Sequence, residues 1–318
     1  MLAIGRRLFL FLLLGIGACS EGPDSTSQLA AQGFLSGALS FQGDSAVIGS
    51  IHHGGSFWDL RSFERKFDWN HAAGEYSLIR ASAISGDGSR AATCVEDAIA
   101  VWDTRTGESL NFWRAPARIL SIRLDHLGNR ALIGMDNGSA SFFDLRNGTS
   151  IYRFEHDAEV RIVDLNRDAS IGITAGDDKT AKVWNLETGE QLQAKTLENY
   201  IHTAALSASG ELAFTTSLRE DALIWQSRSG DVQSRFPNRY TNYTAAAFSD
   251  DEQILTVGTF QGQIKRWNIQ NNEELGSWQA SPRKAYGGAS SKAIIDLVDT
   301  GSSIVALTSD GLVQTFSY

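Results

Sequence analysis

Cysteine, proline, histidine and long apolar runs are all scarce in this 318-residue chain, and each scarcity closes a class of answer. Two cysteines, Cys19 and Cys94, permit at most one bridge, which excludes a disulfide-stapled scaffold. The six histidines are scattered and there is no Cys-x-x-Cys. His52 and His53 are adjacent, but neighbours on a strand point to opposite faces and neither has a partner at a metal-ligand spacing. Only residues 8–14 form a dense leucine run, too short to span a bilayer as a mature helix. Basic residues are short as well: 28 Lys and Arg face 37 Asp and Glu, a net charge of -9, which disfavours nonspecific binding to nucleic acid or anionic lipid. No G-x-S-x-G, P-loop or Rossmann fingerprint occurs. The carboxylate pairs Asp177-Asp178 and Asp250-Asp251 sit in turns, where Asp is expected for its backbone hydrogen bonds. No catalytic residue, metal or cofactor is therefore expected.

What the chain does have is repetition. An aromatic closing a short alternating run recurs at Trp58, Trp102, Phe143, Trp184, Trp225, Trp267 and Phe316, at spacings of 44, 41, 41, 41, 42 and 49 residues. Glycine turns follow four of them, as in Arg105-Thr106-Gly107-Glu108 and Glu187-Thr188-Gly189-Glu190. Further turn clusters precede each anchor, and this punctuation gives four strands per copy. A second aromatic lies eleven residues past the anchor in five copies, at Trp69, Trp113, Phe154, Phe236 and Trp278. One long insertion, residues 280–292, accounts for the 49-residue spacing.

At Val101-Trp102-Asp103, Val183-Trp184-Asn185 and Phe142-Phe143-Asp144 the copies resemble the WD-repeat (WD40) family of β-propellers. The resemblance covers residues 28–318 and implies an all-β fold: a seven-bladed β-propeller of four-stranded antiparallel blades. It also implies a buried polar network, which maps onto His156, Thr174, Asp178 and Trp184 in the fourth copy. There an indole N–H would find a hydroxyl backed by an imidazole and a carboxylate. At the Asp178 position the other copies carry His52, Glu96, Asn137, Arg219, Gln261 and Asp310, so only the fourth has the set complete. The second aromatics fall where the family packs one blade on the next. The last copy lacks an outermost strand, and residues 28–34 (QLAAQGF) are expected to supply it, closing the ring as an N-terminal strand paired onto the last blade.

Ahead of the propeller, Arg6-Arg7, the leucine run and small residues have the shape of a secretory signal over residues 1–18. Ile16-Gly17-Ala18-Cys19 resembles the bacterial lipobox, which makes Cys19 the expected lipidation site and residues 19–27 a lipidated cysteine with a polar tether. The Arg-Arg pair also resembles a twin-arginine signal, although the leucine density favours the general secretory route. Ser20 in place of an aspartate points to the outer membrane of a two-membrane envelope. Without the signal, 26 basic and 37 acidic residues remain, a net of -11. With Cys19 lipidated, Cys94 would be the sole thiol, in an apolar run where it is expected to be buried and inert.

Function is expected at one face of the ring. Arg80, Leu120, Arg161, His202 and Thr244 share an early position of the first strand in copies two to six, with Arg118, Arg219 and Arg239 in neighbouring loops. Arginine favours bidentate pairing with carboxylates, so these residues suggest a monomeric, lipid-anchored, non-enzymatic interaction scaffold in the cell envelope, serving its assembly or maintenance, whose protein partner presents an acidic or anionic segment. The alternative is an enzyme or small-ligand sensor using the central pocket, and fold alone does not choose between them.

Overall fold

The computed structural model describes residues 21–72, 74–236, 241–283 and 291–318. Among these residues there is no helix, and 28 strands form seven four-stranded antiparallel sheets. The sheets are the blades of a propeller: blades 1 to 6 span 34–69, 81–114, 119–155, 160–196, 201–236 and 243–279. Blade 7 combines 294–317 with Ser25–Gln28. The aromatic anchors lie on the third strand counted from the channel, and the second aromatics on the outermost strand.

Why the blades stack is visible at these aromatics. Trp69 of blade 1 stacks on Trp102 of blade 2 at 5.3 Å between ring centres, and Phe154 of blade 3 on Trp184 of blade 4 at 4.3 Å. The outermost strand of one blade thus packs on the third strand of the next, as the repeat offset implied. The glycine turns serve the same joint. Gly148 has φ +70°, and a Cβ there would stand 2.3 Å from the Trp113 ring of the preceding blade, so only glycine admits both the turn and the indole. Trp113 Nε1 in turn donates to the Leu145 carbonyl at 2.7 Å.

Closure by the N-terminal strand is present, but its residues differ from those expected. Ser25, Thr26, Ser27 and Gln28 pair with Thr315, Gln314, Val313 and Leu312. Residues 29–33 instead make the crossing into blade 1, with Leu29 and Ala30 buried and both their N–H groups donating to the Gly311 carbonyl. An outermost strand faces solvent, so the polar STSQ suits it and the apolar segment after it suits a buried crossing. The stretch expected to be a free tether is therefore largely docked. Glu21 bridges to Trp278 and accepts from Gln279 N at 2.9 Å, and Asp24 N donates to Thr315 O at 2.8 Å.

Candidate functional site

The first strand of a blade begins at one face of the ring, and the turn between its second and third strands returns there. In blades 1 and 3 to 7 the first strand carries a β-bulge at its second residue: Leu35, Leu120, Arg161, His202, Thr244 and Ile295. Arg80 takes the corresponding place in blade 2, its N–H donating to Cys94 O at 3.0 Å. A bulge re-aims a side chain, and its repetition turns one sequence position into a ring around the channel mouth. The structure thus brings Arg80, Arg161 and His202 to equivalent positions, with Arg118 and Arg219 in the adjoining loops. Arg239 and Cys19 lie outside the described residues.

These arginines are not bare charges. Arg80 Nε lies 3.6 Å from Glu96, Arg118 Nε 3.1 Å from Asp136 and Arg161 Nε 2.7 Å from Asp177, each partner sitting in the turn of the same blade. Hydrogen bonding to Asp177 holds the Arg161 guanidinium above its ordinary pKa. His202 is shifted the other way, chiefly by partial burial, with Arg161 adding to the effect and Asp177 opposing it. The net basic ring suggested by the arginines alone is thus corrected to a ring of ion pairs. Arg219 occupies a left-handed turn position at φ +64° and has no ion pair among the described residues. The same face also exposes apolar side chains: Tyr76 (70% exposed), Phe260 (55%), Tyr200 (53%), Leu78, Leu35 and Leu218. Tyr76 meets His53 edge to face at 5.8 Å, which places the His52-His53 turn in this rim.

The blade 4 network is a continuous buried chain. Trp184 Nε1 donates to Thr174 Oγ1 at 2.8 Å, and Thr174 Oγ1 lies 2.7 Å from His156 Nε2. His156 Nδ1 then lies 2.8 Å from Asp178 Oδ2. With the proton on Nδ1 every member is satisfied, Thr174 donating to Nε2 and the imidazole to the carboxylate. Burial pushes the His156 pKa below its usual value despite the pull of Asp178. Blade 2 holds a shorter version that the sequence reading missed: Trp102 Nε1 donates to Thr93 Oγ1 at 2.8 Å and His71 Nε2 lies 3.0 Å from it. Its Nδ1 is buried without a partner among the described residues. The shared offset of His71 and His156 from their anchors was the available signal. In blade 6, Val257 holds the register place of Thr174, and the Trp267 Nε1 is buried without an acceptor among the described residues.

A cluster that sequence reasoning did not find lies inside the channel. Arg123 of blade 3 donates through Nε to Asp164 Oδ1 of blade 4 at 3.3 Å, and Asp164 Oδ2 accepts from Leu206 N at 2.8 Å. Asp296 of blade 7 accepts from Leu39 N at 2.8 Å through Oδ2. Burial raises the pKa of both carboxyls, opposed by Arg123. For Arg123, burial opposes the charge, but Asp164 and then Asp296 outweigh it and raise its pKa. Cys94 is fully buried, and burial alone pushes its thiol pKa far up, so it is not a nucleophile. Among the described residues no group of three or more His, Cys, Asp and Glu is arranged to hold a metal.

Comparison with known proteins agrees with this architecture at its best-formed copy. Residues 148–185, from the outermost strand of blade 3 to the third strand of blade 4, match the WD40 family (WD domain, G-beta repeat). WD repeat-containing protein SL1-17 of Schistosoma mansoni is 27% identical over 109 residues. That alignment covers 34% of this chain and 34% of the relative, so the match spans about a third of the relative's length. The chain is a seven-bladed β-propeller whose fourth blade is similar to a WD40 repeat.

Proposed function

We propose that this protein is a non-enzymatic scaffold that docks a protein partner on the face holding the bulge ring. The observation that carries this reading is the convergence on that face of exposed Tyr76, Tyr200 and Phe260 with Arg80, Arg118 and Arg161. Aromatic residues and arginine are the side chains that dominate binding energy at interfaces. The similarity of the fourth blade to a WD40 repeat supports a binding role.

The partner in this reading presents carboxylates, which displace or share Glu96, Asp136 and Asp177 at their arginines. The pre-formed ion pairs tune the face toward selectivity rather than raw attraction, because an incoming anion competes with an intramolecular one. Lipidation at Cys19 and an envelope location on the outer membrane complete the proposal. Because Glu21 is already docked on blade 6, about two residues would separate lipid from sheet, a reach of roughly 7 Å. Such an anchor holds the edge of blades 6 and 7 against the membrane.

The test is capture of a crosslinked partner by the full chain with Cys19 native, compared with Arg80→Glu/Arg161→Glu, Tyr200→Ala/Phe260→Ala, and Arg105→Glu on the opposite face as control. Loss of capture for the first two with unchanged melting supports the docking face, with about 2–5 kcal/mol lost where the charge pairs are desolvated. Equal capture by all variants overturns it.

A further inference from the structure

The channel end opposite the docking face holds a cavity of about 550 Å³ walled by all seven innermost strands. That volume lies in the range of small-molecule sites. The half-buried Leu39, Leu165 and Phe248 supply the apolar part of its wall. Into it project the polar groups Arg123, Asp164 and Asp296, and their bonding is incomplete in a specific way. Arg123 uses only Nε, toward Asp164, and its two Nη groups make no hydrogen bond among the described residues. Asp296 accepts only from backbone N–H groups, Leu39 at 2.8 Å through Oδ2 and Leu297, and no cation pairs with it among the described residues.

Arg123 and Asp296 stand on blades 3 and 7, nearly across a seven-bladed ring from each other. They feel one another's charge but form no ion pair within 4.0 Å, unlike Arg123 and Asp164. An unused donor fork and a carboxylate without a cation therefore face a common space without closing on each other. A lone anion would meet two carboxylates there, and a lone cation would meet Arg123. A ligand carrying both charges satisfies both groups and places its apolar body on the apolar wall.

The mouth of this cavity is strapped by turns from three blades. Arg167 of blade 4 reaches across to pair with Asp250 of blade 6, and its guanidinium lies 5.2 Å over the Phe41 ring of blade 1. Both charged partners are more than half exposed, so this strap contributes little stability and opens readily.

We propose that the cavity binds a small zwitterion, an amino acid or dipeptide with apolar side chains, its carboxylate on the Arg123 fork and its ammonium on the Asp296 carboxylate. The charge-assisted bonds this implies are directional and bidentate on the arginine side. The proposal is independent of the docking face and stands or falls separately from it.

The experiment is calorimetric titration of the full chain with leucine and with leucyl-leucine, which differ in the separation of their charges. The two halves of leucine, 3-methylbutylamine and 4-methylpentanoate, are titrated in parallel. Saturable binding of either zwitterion, with each half at least about 10-fold weaker, is expected, as is a loss of about 10- to 100-fold in Arg123→Gln and in Asp296→Asn but not in Arg80→Gln. Binding of the amine as tight as that of the zwitterion would overturn the assignment in favour of a cation site. Absence of binding by both zwitterions would overturn it outright. Should a channel variant fail to fold, the comparison of whole and half ligands on the unaltered chain still decides.

Discussion

Replacing Thr174 with valine keeps the shape of a fully buried side chain and deletes one oxygen. That oxygen accepts from Trp184 at 2.8 Å and meets His156 at 2.7 Å, so two buried polar groups lose their partner at once. Leaving a buried group unsatisfied costs about 1–3 kcal/mol, which puts Thr174→Val, with two such groups, at about 2–6 kcal/mol. Blade 5 provides the internal control. Thr215 Oγ1 accepts from Trp225 Nε1 at 3.1 Å and has no histidine behind it, so Thr215→Val should cost about half as much. Blade 6 provides the reverse experiment, since Val257→Thr offers an acceptor to the unpartnered Trp267 indole and should stabilise by about 1 kcal/mol. For domains of about 150–250 residues, 1 kcal/mol corresponds to about 2–4 °C in melting temperature, and this larger ring lies at or below the lower figure. Scanning calorimetry of the full chain should therefore show a drop of at most about 4–12 °C for Thr174→Val, a smaller drop for Thr215→Val and a small rise for Val257→Thr. Equal shifts for Thr174→Val and Thr215→Val would refute the reasoning, because the imidazole would then add nothing.

Deleting residues 25–28 should expose the hydrogen-bonding edge of Leu312–Ser317, lower the melting temperature and cause association, and light scattering of a monodisperse, fully stable product would count against strand closure. His71 and His156 both have pKa values below the free value, so the unfolded chain binds more protons between the two. Their contribution is complete above about pH 6.5 and is lost as pH falls toward the folded values; a urea midpoint that declines over this window and flattens in His71→Gln/His156→Gln is the expected result. Cys19→Ala should move the protein from the membrane to the soluble fraction, and continued firm membrane association would remove lipid anchoring from the proposal.

Much of the fold was legible because each blade restates it. The anchors, the second aromatics and the Thr-Gly turns recur at fixed offsets, and a propeller blade turns such an offset directly into a packing contact, as Trp69 on Trp102 illustrates. The closing strand was misplaced by a few residues because STSQ has neither alternation nor apolar content. An outermost strand needs neither, since its outer edge meets solvent. At the docking face the arginines were legible by register, but their neutralisation was not. The carboxylates Glu96 and Asp177 each lie sixteen residues after their arginine, and Asp136 eighteen after Arg118, a recurrent spacing that would have announced the pairs. Arg123, Asp164 and Asp296 belong to three blades and meet only when the ring closes, so no local pattern marks them. The one trace was a charge interrupting the apolar first strand of two successive copies, 41 residues apart.

The docking face is tested most directly by placing a photo-crosslinking amino acid in the full chain, one site at a time, at Tyr76, Tyr200 and Phe260 on that face and at Phe63, Arg105 and Leu127 away from it. Irradiation in living cells, with Cys19 native, should give one discrete adduct of the same mass from the first three sites and none from the others. Adducts of equal yield from both sets, or only from the second, would contradict a partner-binding face at the bulge ring.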